Sequence, residues 1–160
     1  MHRDAFTLWV QDNVPDLTPS LYQPGGFMGA PPVGWRIIIG RTAFVYRVPQ
    51  ESPELFYVVL IERASAARAA LHSPFRDFVR LLALIKQSAT GIRWIRGHVE
   101  PTSDRPDDAL SRERILAFYR RYLTAVSIGD ENGVEWYAGD ITAFEWQREK
   151  RKVGEHHPNR

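Results

Sequence analysis

The 160-residue chain contains no cysteine, so disulfides, thiolate metal centres and thiol nucleophiles are excluded from the start. It also lacks any long apolar run. The most hydrophobic windows, residues 55–61 and 79–85, are far shorter than the roughly 20 residues that cross a bilayer. Residues 1–14 carry Arg3, Asp4 and Asp12 and have no hydrophobic core of the kind a secretory signal needs. Together these absences predict a cytoplasmic protein with no membrane insertion. What remains is ordinary for a globular chain, with 44% hydrophobic and 25% charged residues, enough to build a buried core.

An excess of one charge sign is missing as well, once charge is placed along the chain. The net charge is +2, yet residues 147–160 hold five basic residues against two acidic ones, which gives that tail +3 and leaves the body at −1. A folded domain that reads duplex DNA normally presents a basic surface. The pI of about 9.1 therefore comes from a tail, and nucleic acid is not among the expected partners.

The patterning predicts an α+β domain over residues 1–146 and a basic, flexible tail over 147–160. Residues 3–14 place Phe6, Val10 and Trp9 on one side of a short N-terminal helix that Pro15 stops. Residues 18–34 carry four prolines and four glycines and read as a loop. Three β-prone runs follow, at 35–39, 42–48 and 55–62, and their punctuation predicts an antiparallel meander covered on one face. Ser73 and Pro74 open a helix over 73–88 whose stripe is Phe75, Phe78, Val79, Leu82 and Ile85, with Asp77 off the stripe and Gly91 at its end. A strand at 92–99, an acidic connection at 100–110 and a second amphipathic helix from Ser111 come next. The helix stripe is Ile115, Phe118, Tyr119, Tyr122 and Leu123. A turn around Gly129–Gly133 precedes a strand at 134–138, with Ile128 at the start of its partner, and a terminal helix fits 142–152. The expectation is thus a mainly antiparallel sheet of about five strands with two amphipathic helices packed on one face.

Each candidate for chemistry has a structural explanation. The interior histidines, His72 and His98, do not share the three- to five-residue spacing with which a helix presents a metal, and His156–His157 lies in the tail. Glu100, Asp104, Asp107 and Asp108 fall in a polar loop rather than a concave site, and the serines lack the glycine-flanked elbow of a hydrolase. Gly25, Gly26 and Gly29 are followed by prolines, without the lysine of a phosphate loop. No enzyme activity, cofactor or metal is expected. Most of the five tryptophans fall on core-compatible strand positions. The candidate partner-binding residues are Trp9 and Trp146, in the peripheral helices, and the pair Arg120–Arg121.

Three stretches carry a resemblance. Tyr57-Val58-Val59-Leu60-Ile61-Glu62-Arg63 is followed by Ser73-Pro74-Phe75. Gly97-His98-Val99-Glu100 precedes the acidic loop. Leu110-Ser111 leads into Arg114-Ile115-Leu116-Ala117-Phe118-Tyr119-Arg120-Arg121. In this order they resemble the LcrR family of type III secretion regulators across residues 35–140. The resemblance implies a non-enzymatic, cytoplasmic regulator or chaperone-like protein, linked to virulence. Its partners would be other secretion proteins, among them gatekeeper, needle-tip or export-apparatus components. The order of elements is also that of type III secretion chaperones, whose helices dimerise, and so leaves a homodimer open. A DNA-binding transcriptional regulator, or a small-ligand domain in which residues 25–34 close over Trp35 and Tyr46, are the alternatives.

Overall fold

The computed structural model describes residues 1–24, 29–64, 74–98, 112–123, 126–131, 134–142 and 144. It is α+β, with three helices and seven mainly antiparallel strands where the sequence pattern predicts about five. The two additional strands are short or exposed, so neither leaves an apolar alternation to read. Contacts divide the chain into two compact units, Met1–Ile92 and Arg93–Arg160.

In the first unit four strands run in the order β1 (Ser20–Tyr22), β2 (Gly34–Ile39), β3 (Thr42–Arg47) and β4 (Leu55–Arg63), each antiparallel to the next. The segment predicted as pure loop therefore holds an edge strand, with Ser20–Tyr22 pairing with Arg36–Gly34. An edge position tolerates the neighbouring prolines because only one side of the strand needs its amides. Strands β2 and β3 turn through the two residues Gly40 and Arg41. Gly40 has φ +61°, while no non-glycine residue except Ala89 among those described has positive φ, the pattern of a type II′ hairpin.

Strand β3 is buried from Thr42 to Tyr46 on both faces, although its sequence predicts cover on one. On one face Phe44 and Tyr46 belong to the helix-side core. On the other, Arg36 of β2 reaches across β3 to Glu62 of β4, with Nε–Oε1 at 3.5 Å. The residues opposite them are Val45 and the small Ala43, so the ion pair lies over that strand. Both partners are more than a quarter exposed, and the pair adds little more than a few tenths of a kcal/mol, about 0–1. Its larger effect is the apolar surface it covers.

Helix α1 (Ala5–Asn13) is held by its N-cap. Asp4 accepts from the Thr7 amide at 2.9 Å and from the Thr7 hydroxyl at 2.8 Å. Phe6 and Val10 are fully buried, and Phe6 packs edge-on against Tyr46 and Phe56 with centroids 5.5 and 5.4 Å apart. Helix α2 (Pro74–Ser88) buries Phe78, Leu81, Leu82, Leu84 and Ile85, a stripe broader than the predicted one, while Val79 is only half-buried. Its end differs too. The left-handed residue is Ala89, at φ +49°, directly after the last helical residue, and Gly91 follows two residues later. The Ser73 cap lies outside the described residues.

In the second unit the strand order is β5 (Trp94–His98), β7 (Val134–Asp140) and β6 (Val126–Glu131), all antiparallel. Helix α3 (Arg112–Leu123) packs on β7 through Phe118, Tyr119 and Leu123. Gly139 permits the approach, because a Cβ there would collide with the Leu123 side chain and lie 3.0 Å from its carbonyl oxygen. The predicted terminal helix at 142–152 falls almost entirely outside the described residues.

Candidate functional site

Buried polar side chains are where chemistry would be sought, and in the first unit they form two hydrogen-bonded groups. Tyr46 lies fully buried with its hydroxyl 2.6 Å from the Thr7 hydroxyl. Thr7 has given its hydrogen to the Asp4 carboxylate, which can only accept, so Tyr46 donates to Thr7 and the three residues form a directed chain. Removal from water pushes the Tyr46 phenol above its ordinary pKa, and the charge of Asp4 adds to the rise. The group fastens α1 to β3, and Tyr46 also stacks on Phe56 at 4.8 Å. It has no face left for a ligand, which removes one wall of the box imagined around Trp35 and Tyr46.

The second group corrects the sequence reading of Asp77. Placed off the helix stripe by its charge, it is 7% exposed and accepts from the Thr42 hydroxyl at 2.7 Å and the Arg41 amide at 3.3 Å. Its carboxylate stands where a side chain on Gly40 would project: a Cβ there would be 2.5 Å from Oδ1. The arrangement ties α2 to the β2–β3 hairpin. The signal was available in the sequence, since a glycine at the first position of a two-residue turn leaves room for a neighbouring acceptor.

Open surface is limited in this unit. A shallow cleft of about 210 Å³ is lined by His2, Asp4, Trp35, Arg47 and Glu51 among others. A neighbouring one of about 190 Å³ shares His2, Asp4 and the Val48–Gln50 segment. Trp35 is 5% exposed and its indole donates to the His2 carbonyl at 3.4 Å. Trp9 is half-buried on α1 beside Leu8, which is 44% exposed, and its carbonyl accepts from Asn13 at 2.9 Å.

In the second unit Arg120 and Arg121 are consecutive and both exposed on α3, with the Arg121 guanidinium 5.6 Å from the Tyr122 ring. Burial raises the pKa of the Tyr119 phenol next to them in sequence. Trp146 lies outside the described residues. The tryptophans of this unit depart from their expected core positions. Along β5 it is Ile95 and Gly97 that face inward, while Trp94, Arg96 and His98 are half-buried on the opposite face, where Trp136 joins them. Among the described residues no three His, Asp or Glu side chains group as a metal site, and no helix is long and apolar enough to span a membrane.

The family model of the type III secretion system regulator LcrR matches residues 4–153. This chain belongs to the LcrR family. The match takes in both units, so the LcrR module comprises the α1–β4 meander as well as the α3-backed strands. No curated protein matches the chain.

Proposed function

We propose that this LcrR-family chain is a non-enzymatic cytoplasmic regulator that acts by holding another protein of the type III secretion system, in the manner of a chaperone. The observation that carries the reading is the family match over residues 4–153. The fate of the buried polar groups supports it: Asp4, Thr7 and Tyr46, like Asp77 and Thr42, hydrogen bond to one another and join helix to sheet. Exposed side chains of the kind that anchor partners stand on the helices, Leu8 with Trp9 on α1 and Arg120 with Arg121 on α3. Gatekeeper, needle-tip and export-apparatus components are the partners to test first, and a role in virulence follows from that placement.

The test is co-purification of the tagged full chain with the products of its neighbouring genes at low and moderate salt. Retention of one secretion protein, lost on the double substitution Arg120→Glu/Arg121→Glu while the circular dichroism is unchanged, is the expected result. Retention of none of them at either salt would remove the reading.

A further inference from the structure

The sheet face of the second unit opposite α3 has a composition that protein holding does not explain. Neighbouring strands place Trp94 across from Asp140, Arg96 across from Ala138 and His98 across from Trp136. Each indole has a guanidinium over it, Arg93 at 4.9 Å from the Trp94 ring and Arg96 at 5.4 Å from that of Trp136. The His98 ring is 4.8 Å from Trp136. Between Trp136 and Asp140 the small Ala138 keeps the floor of the face low, and Val126, its neighbour on β6, is 63% exposed. Arg93 is 65% exposed and leans on Asp140 at 3.7 Å, a bond loose enough to be shared with another anion.

We propose that this face binds a single-stranded polynucleotide, with bases stacking on Trp94 and Trp136 and phosphates meeting Arg93 and Arg96. Aromatic rings on adjacent antiparallel strands give successive bases a platform, and guanidinium planes both stack on bases and pair with phosphates. A body charge of −1 disfavours duplex DNA, whose recognition relies on a broad basic surface. A strand held by stacking needs cations only at the platform, and residues 93–98 supply two arginines with no acidic residue among them. An acidic protein segment would use the arginines but leave two indoles and His98 without a purpose in the same array. The proposal stands apart from the protein-holding reading, and either can fail alone.

The experiment uses the full chain with its tail neutralised by Arg148→Gln, Lys150→Gln, Arg151→Gln and Lys152→Gln, so that undirected attraction to polyanions is removed. Fluorescence anisotropy is read with labelled oligouridylate and oligothymidylate of about a dozen nucleotides, and with a duplex of equal length, at about 50 and about 200 mM salt. The single strands should bind about tenfold or more tighter than the duplex. Preference for oligouridylate would assign the site to RNA through the 2′-hydroxyl, and equal binding would assign it to either strand. Arg93→Gln and Arg96→Gln should each flatten the salt dependence by about one phosphate contact, and Trp136→Leu should weaken binding about fivefold or more. Arg93→Gln alters an exposed side chain and keeps the test valid if Trp136→Leu fails to fold. No binding at the lower salt, equal affinity for duplex, or insensitivity to both arginine substitutions would overturn the proposal. So would displacement by polyglutamate as effective as by oligonucleotide, which would give the face to an acidic protein segment.

Discussion

Single side chains explain how a chain without disulfides fastens its first helix. Because Tyr46 donates to Thr7 and Thr7 to Asp4, the three groups are not equivalent when removed. Tyr46→Phe deletes only the end of the chain and should cost about 0.5–1.5 kcal/mol in urea unfolding. Thr7→Val strands both the phenol and a carboxylate oxygen and should cost more, about 1–3 kcal/mol. Equal losses would show that the hydroxyls are not ordered as a chain. The same phenol sets an alkaline limit. The pKa values of Tyr46 and Tyr119 are raised by burial, so both stay neutral in the folded protein while the unfolded chain ionises from its ordinary value near pH 10. Above that pH the unfolded state binds fewer protons than the folded one, and stability must fall as pH rises. Of the six tyrosines, two should therefore titrate in the ultraviolet only as the protein unfolds. Asp140 behaves in the opposite sense. Desolvation alone would raise its pKa, but hydrogen bonds from Thr142 together with the Arg93 guanidinium hold it below its usual value.

Elements meet where a residue is unusually small or unusually placed. Gly139→Ala would force a methyl into the Leu123 side chain, separating α3 from β7, and overpacking of this kind costs about 1–3 kcal/mol. A urea midpoint equal to that of the parent would mean that α3 can shift freely. Ala89→Gly should do the reverse and stabilise the chain by roughly 0.5–1 kcal/mol, since it relieves a left-handed alanine at the end of α2 at some entropic cost in the unfolded state. These sites mark the border of what the sequence conveys. Helical periodicity and β-branched runs made α1, α2, α3 and the β2–β4 meander legible, because each buries a regular stripe. Strand β1 was hidden because three residues between prolines show no alternation, and β6 because its side chains are exposed and a bulge between Ser127 and Gly129 breaks its period. The burial of Asp77 was hidden because charge outweighed position: its acceptor role depends on a turn some 36 residues away in sequence.

At the scale of the whole chain, charge is segregated rather than balanced. Residues 1–92 carry nine basic and seven acidic side chains, residues 93–146 seven basic and ten acidic, and residues 147–160 five basic and two acidic, giving +2, −3 and +3. Position along the chain made this legible from sequence, as it did the family and the exposed pair Arg120–Arg121. The clustering of Trp94, Arg96, His98 and Trp136 was not, because it needs the register of two strands that lie some forty residues apart. A consequence can be read on a column. Net charge governs undirected binding to polyanions, and such binding weakens steeply with salt as counterions compete. Replacing Arg148, Lys150, Arg151 and Lys152 by glutamine takes four positive charges from a chain of 21 basic and 19 acidic residues and moves the net charge from +2 to −2. The parent should be retained on heparin at low salt and released early in the gradient, and the neutral-tail variant should pass through unretained with its urea midpoint unchanged. Retention of that variant at the parental salt would place the polyanion-binding charge in the body and not in the tail.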